Sequence, residues 1–230
     1  MVNDIIYIAI TLAIIFIATL SIYVLWIRPH AMSKRLVLHA VLREFRVIYY
    51  SLFIWFKPPN VDTERDFTYH KDSQIKTIII LCLILITVEG TLFHFLLHQW
   101  SSIAAWIFTI LHIYGLLYMI GFYNSVRYLP HKLEQDALLI RLGYQSSITV
   151  AVDNIESIKH AKAGDLFEKE VKHTYDSLLK IDSPQYEIFL KQPVQVKGFF
   201  GKQRLVNSVV FRADQPEKLL ESIRERQTDG

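Results

Sequence analysis

The sequence predicts a membrane α-helical protein, with three transmembrane helices plus an interfacial helix, carrying a C-terminal β-rich domain that ends in an α-helix. Three observations predict it. The first 130 residues hold three apolar runs, each longer than the roughly 18 residues that cross a bilayer as a helix, at about 5–27, 77–100 and 103–126. All 25 lysines and arginines lie outside those runs. Past Pro130 the long apolar runs give way to short ones separated by turn residues, the pattern of a small β-rich domain over 131–230.

The first run, Ile5 to Ile27, follows an n-region, Met1 to Asp4, that carries no positive charge. It is also longer than the roughly 7 to 15 residues of a signal-peptide core, so it reads as an uncleaved anchor. Pro29 ends it. From about 33 to 56 a helical pattern mixes basic and apolar residues and then turns almost wholly apolar and aromatic. Ten such residues are too few to cross. They predict an interfacial helix on the inner leaflet, with Tyr49, Tyr50 and Trp55 at headgroup depth. Arg28, Lys34, Arg35, Arg43 and Arg46 would reach anionic lipid headgroups, and Glu44 is the one acid among them. Lys57-Pro58-Pro59-Asn60 stops the helix. Val61 to Gln74 then reads as a polar connection to the second run.

Orientation follows from the basic residues, which are retained on the cytoplasmic side of span ends. Arg28 to Lys76 carries nine and the chain after Val126 carries sixteen. The expected protein is therefore multi-pass in the cell membrane, with its N-terminus and the turn Gln99 to Ser102 extracytoplasmic and its C-terminus cytoplasmic. A net charge of +3 gives no reason to expect nucleic acid as a partner, and the single cysteine, Cys82, precludes an intrachain disulfide.

From Thr77 to Val126 there is no lysine or arginine, yet Glu89, His94, His98 and His112 stand inside the apolar runs. Ionisable groups in hydrocarbon are costly and usually face a bundle interior or cavity, paired with one another. If the turn is centred between Trp100 and Ser101, Glu89 lies as far before it as His112 lies after it. At about 1.5 Å per residue, both sit roughly 17 Å from the turn, near the middle of a core about 30 Å thick. Glu89, His112 and His94 are thus the candidate intramembrane polar site, for proton handling, for metal chemistry or as a structural pair. His94 and His98, four apart on one helix, together with His112 form the candidate ligand set for a divalent metal. Two axial histidines for haem would need matched depths, which His94 lacks, since it faces the level of Ile107. His39, His70, His131, His160 and His173 lie in polar or basic surroundings that ask for no special role.

In the C-terminal part, Leu138 to Leu142, Ser147 to Val152 and Ile155 to His160 read as strands. A charged, weakly helical insert spans Gly164 to Lys180. Strands resume at Tyr186 to Leu190 and Val194 to Lys197, break at Gly198 to Lys202 and return at Leu205 to Arg212. Asp214, Pro216 and Glu217 make a capping-box-like start for a last helix with Leu219, Leu220 and Ile223 on its apolar face. No phosphate-binding glycine loop, nucleophile elbow or HExxH helix is present.

The run Asp136-Ala-Leu-Leu-Ile-Arg-Leu-Gly143, the strand closing on Val152-Asp-Asn-Ile-Glu-Ser-Ile158, and Gly198 to Arg204 followed by a strand and capped helix resemble the bacterial PH-like domains attached to membrane anchors. That resemblance covers roughly residues 131 to 226 and implies a strongly bent antiparallel sheet plugged by its C-terminal helix. The membrane half, with Val88-Glu89, Phe93-His94, Trp106 and Ile113-Tyr-Gly115, is similar to uncharacterised bacterial integral membrane proteins of this layout. It implies an architecture and no activity. Two functions are consistent with these readings. One is a non-enzymatic adaptor or envelope component whose PH-like module engages a protein, peptide or lipid headgroup. The other is a membrane-embedded enzyme or carrier using the Glu/His site. Three spans enclose a substrate only if the protein is a homo-oligomer.

Overall fold

The computed structural model describes residues 34–57, 62, 64–71, 73–161, 173–179, 182–197 and 203–228. The anticipated span at 5–27, and with it Arg28, lies outside the described residues, as does the break at Gly198 to Lys202. Within them, two helices are long and apolar enough to cross a membrane, Ile75–His98 (α2) and Ser102–Tyr128 (α3). Two, rather than three, is therefore the number of candidate spans that the described residues support.

α2 and α3 form an antiparallel hairpin because only Gln99, Trp100 and Ser101 separate them. Ser101 caps α3 in extended conformation, its Oγ accepting the Ala104 N–H at 3.3 Å. Scarcely any of either helix's most apolar stretch is buried. Apart from Ala105 near the turn, the buried residues lie at the feet. Ile75 and Ile79 of α2 and Phe122 and Val126 of α3 share a buried cluster with Val47, Tyr69, Leu142 and Tyr144.

The preceding segment is helical from Lys34 to Phe56, in three pieces: Lys34–Ile48 (α1), a π-helical turn Tyr49–Phe53 and a 3₁₀ turn Ile54–Phe56. Val47, Ser51 and Ile54 are buried. Its crossing with α3 depends on Gly121, where a Cβ would come within 2.9 Å of the Val47 carbonyl oxygen and 3.4 Å of the Ser51 nitrogen. π-turns interrupt the regular ladder, and here Asn124 Nδ2 donates to the Tyr50 carbonyl at 2.9 Å. The opposite side stays open, with Phe45, Phe53, Trp55 and Phe56 exposed.

Among the described residues, the remaining chain builds two four-stranded sheets. The first has the order β1-β2-β3-β4, all antiparallel, from Asp66–Phe67 (β1), His131–Leu133 (β2), Ala137–Leu142 (β3) and Ser146–Ala151 (β4). The second has the order β5-β7-β8-β6, from Ile155–His160 (β5), Thr174–Asp176 (β6), Tyr186–Lys197 (β7) and Gln203–Phe211 (β8), with β6 parallel to β8. Alternate residues of β3, Leu138, Ile140 and Leu142, point inward as the period of two requires. Leu138 and Ile140 share a core with Ile188, Val209 and Phe211 of the second sheet and Leu219 and Ile223 of the terminal helix Pro216–Thr228 (α4), whereas Leu142 joins the cluster at the feet of the hairpin. β7 runs through both anticipated late strands as one element, its register with β8 shifting between Phe189 and Val194. Pro193, which has no N–H to donate, falls in that irregularity. Asn154 bridges it, accepting Gln192 N–H at 2.8 Å and donating to Gln192 O at 2.9 Å.

Two differences from the sequence reading matter for function. β1 comes from the segment read as a polar connection, so the β module is split in sequence and the helical hairpin is inserted between β1 and β2. A boundary at residue 130 leaves one strand of the module on the wrong side. Thr174–Asp176, read within a weakly helical insert, is a strand because it pairs with Ser208, Val209 and Val210 of β8. The rest of that insert, except 173 and 177–179, lies outside the described residues.

Candidate functional site

Glu89 and His112 line one open depression of about 240 Å³ on the flank of the hairpin, with Ile86, Phe108, Leu111 and Gly115. The short turn produces this, since it sets α2 and α3 antiparallel in the register that pairs residues equidistant from it. Gly90 makes room for the histidine: a Cβ there would lie 2.8 Å from His112 Cδ2. His112 Nδ1 stands 2.8 Å from the Phe108 carbonyl oxygen, which can only accept, so Nδ1 carries a proton. Phe93 and Phe108 stack near the ring, with centroids 6.4 and 6.2 Å away. Among the described residues no hydrogen bond or ion pair joins Glu89 to His112, and Glu89 is exposed.

His94 belongs to a different flank. Its Nδ1 lies 2.7 Å from Thr109 Oγ1, and that hydroxyl donates to the Ala105 carbonyl at 2.9 Å. His94 therefore donates to Thr109. Its ring meets Trp106 edge-on at 5.5 Å and lies 5.9 Å from that of His98. The three candidate ligands His94, His98 and His112 thus divide between two neighbourhoods. Among the described residues no group of three or more His, Cys, Asp or Glu side chains is placed to hold a metal ion.

A second polar cluster at the foot of the hairpin had only a faint sequence signal. Tyr114 donates a short hydrogen bond to Glu44, which also faces Arg43 at 3.5 Å. One turn on, Tyr118 accepts from Gln145 Nε2 at 3.0 Å, and its carbonyl accepts from Tyr144 Oη at 3.3 Å. Tyr50 stacks on Tyr144 with centroids 6.0 Å apart. Glu44 as the lone acid in a basic stretch and tyrosines four apart on α3 were the available cues. Burial pushes the Tyr144 and Tyr50 hydroxyls up from their ordinary range. Of the basic residues assigned to lipid, Arg43 and Arg46 are exposed, while Lys34 and Arg35 lie in α1.

The hairpin and the β module meet at Gly143. This residue has φ +49°, and a Cβ there would stand 2.3 Å from Ser125 Oγ. The Gly143 N–H donates to Tyr69 Oη at 2.8 Å and the Tyr144 N–H to Ser125 Oγ at 3.1 Å. His131, whose polar or basic sequence surroundings asked for no special role, is fully buried in the same junction. It accepts the Arg141 N–H at Nδ1 (3.1 Å) and donates from Nε2 to the Arg212 carbonyl (3.0 Å), so it is neutral with both nitrogens used. Burial holds its pKa down at about 4. Asp182 completes the joint, accepting from Ser73 Oγ at 2.5 Å and facing Arg212 at 3.4 Å. It ties the foot of α2 to the second sheet.

Comparison with protein-family models, curated proteins and solved structures finds no match to this chain.

Proposed function

We propose that this chain is an integral membrane protein that presents a cytoplasmic PH-like interaction module at the inner leaflet, acting as a non-enzymatic adaptor or envelope component. One observation carries the reading. α2 and α3 leave Leu81, Leu85, Phe95, Ile103 and Ile107 more than half exposed, whereas their feet are buried in the β module. Soluble monomers rarely expose contiguous apolar surface on this scale. Hydrocarbon covers it at no cost.

The distribution of basic residues supports the cytoplasmic side for the module. Two sheets closed over a core by a terminal helix fit the element order of bacterial PH-like domains. Phe45, Phe53, Trp55 and Phe56 beside Arg43 and Arg46 give the α1 segment the surface of an interfacial helix that binds anionic lipid. The module's open faces are then left for a protein or peptide partner. Membrane fractions and impermeant labelling test this: a cysteine at Ser101 should react from outside, and a reporter after Gly230 should be active only inside. Labelling solely from the cytoplasm overturns the orientation, and release of the protein by alkaline carbonate overturns the membrane reading.

A second reading is favoured by the shared depression of Glu89 and His112. In it, the protein is a membrane-embedded enzyme or carrier using that pair for proton transfer or metal chemistry. Metal content of the purified protein beside a Glu89→Gln variant distinguishes the two.

A further inference from the structure

We infer that the Glu89–His112 flank of the hairpin is completed by a second copy of this chain, in a two-fold pair whose axis runs along the membrane normal, each Glu89 bonding the other copy's His112. The inference rests on the membrane reading above. Glu89 is exposed on the flank of an apolar hairpin and has no hydrogen-bond partner among the described residues. A carboxyl in that position requires one.

His112 offers the matching group. Its Nδ1 proton is engaged by the Phe108 carbonyl, which leaves Nε2, and no described residue meets Nε2. One proton between Nε2 and a carboxyl satisfies both, either as the acid donating to the imidazole or as the imidazolium donating to the carboxylate. Within one chain the two groups line the same depression without bonding. Across a two-fold axis they are self-complementary, because an isologous contact that puts residue i on j also puts j on i.

The depths decide the axis. Rotation about the membrane normal preserves depth, so both reciprocal contacts form at once only if Glu89 and His112 lie at one level. They lie equally far from the turn between α2 and α3. Gly115, in the wall of the depression, has no atom nearer than 3.9 Å to where a Cβ would stand, which leaves space for a neighbouring helix to approach. The other candidate to cover this flank is the chain's own apolar run Ile5 to Ile27. It contains no acid, histidine, lysine or arginine, so beyond neutral hydroxyl groups and the Trp26 indole N–H it has neither a carboxyl nor an imidazole to offer the pair.

The test uses the full chain in native membranes with Cys82→Ser as background. Single cysteines Ile86→Cys and Leu111→Cys report the flank. Thr87→Cys is the control, exposed and about 160° around α2 from Glu89 at 100° per residue. Short thiol cross-linking should yield dimers from Ile86→Cys or Leu111→Cys and not from Thr87→Cys. Subunit counting at high lipid dilution should show Glu89→Leu and His112→Leu each lowering the dimer fraction by at least about tenfold, since either change, present in both copies, removes both reciprocal contacts and about 1.4 kcal/mol already corresponds to a factor of ten. The exchange Glu89→His with His112→Glu should restore it, since both groups remain on one face at one depth. Membrane-embedded protein that is monomeric, that cross-links equally at Thr87→Cys, or whose dimers ignore both leucine variants overturns the pair while leaving the membrane reading standing. Release of the chain from the membrane by carbonate overturns both.

Discussion

Tyr69 lies flat on His131, their ring centroids 4.3 Å apart and planes 5° from parallel, although the whole helical hairpin separates them in sequence. Both are fully buried, and the Tyr69 hydroxyl accepts the Gly143 N–H. The stack closes the point where the chain leaves the β module after β1 and returns at β2. The hairpin is thus anchored at both feet to one sheet, and a force on it reaches the module through two connections rather than one.

A fragment beginning at His131 should therefore fold poorly. It lacks β1, Phe67 and Tyr69, and it leaves His131 with an open face in the core. A fragment that keeps Glu64 to Ile79, bridges to Phe122 with a short Gly/Ser linker and runs to Thr228 should be soluble and cooperative. Ile79 and Phe122 are equidistant from the turn, so the linker spans only the distance between neighbouring helices, about 8 to 10 Å. Urea melts compare the two, and equal midpoints would show that the β1 segment is dispensable.

The position of His131 also sets a pH dependence. Burial lowers its pKa from 6.5 to about 4, and burial lowers that of His70 as well. Above pH 6.5 neither state of His131 is protonated and the group contributes no pH slope. Between 6.5 and about 4 the unfolded chain binds a proton that the folded chain excludes, so stability falls as the pH drops. The full loss is on the order of 3 kcal/mol below both values, at 1.36 kcal/mol per unit. Denaturation midpoints of the bridged fragment from pH 8 to 4 measure it. A flat profile down to pH 5 would mean that His131 is protonated in the fold.

Gly143→Ala should be among the most damaging small changes. A left-handed residue with a Cβ costs about 1 to 2 kcal/mol by itself, and here the added carbon meets Ser125 Oγ at 2.3 Å and Val126 Cγ2 at 3.3 Å. Because the nearer clash is with a hydroxyl, Ser125→Gly should recover part of the loss in the double variant, a coupling that a thermal-melt cycle reads directly. Additive effects would place the strain in the backbone alone.

How much was legible in the sequence depends on the range of the interactions concerned. The hairpin could be read because its signal is local: a long absence of lysine and arginine, and two apolar runs of spanning length joined by a very short turn. β3, β4 and β5 could be read from alternation confined to each strand. β1 could not, since two residues carry no periodicity and Asp66–Phe67 is a strand only because Lys132 and His131 stand opposite. His131 gave no sequence signal of its buried role because both of its hydrogen-bond partners are backbone groups distant in sequence, the Arg141 N–H in β3 and the Arg212 carbonyl just after β8. The equal depth of Glu89 and His112 was visible from the turn, and the structure sets them on one flank. Their lack of a mutual bond was not visible, because it depends on how the imidazole settles over Gly90.

Asp182→Ala should loosen the foot of α2. The carboxylate is wholly buried, holds Ser73 Oγ, and pairs with Arg212, whose own side chain is 11% exposed. Removing one member of a buried pair leaves the other uncompensated and typically costs about 3 to 5 kcal/mol, whereas replacing both can be nearly neutral. Asp182→Ala with Arg212→Met should accordingly be more stable than Asp182→Ala alone. Hydrogen exchange at Gln74 to Ile78 gives the local reading, with faster exchange there in the single variant and protection regained in the double.

If the protein spans a membrane as proposed, the α1 segment marks where the bilayer ends. Val47, Ser51 and Ile54 face α3, while Phe45 (64% exposed), Phe53 (50%) and Phe56 (85%) face away from the protein on the side that carries no burial. In water, that stripe would be an aggregation surface. On the membrane reading proposed above it would enter the headgroup–acyl boundary of the inner leaflet, where interfacial helices bury their apolar face roughly 5 to 10 Å deep. Spin labels at Phe53→Cys and Phe56→Cys, in a Cys82→Ser background and anionic nanodiscs, should therefore relax with oxygen and resist a water-soluble nickel chelate. A label at the exposed Arg46→Cys should respond the opposite way. Labels at Phe53 and Phe56 that respond to nickel as strongly as the one at Arg46 would place the helix in water, with its aromatic stripe turned toward another protein.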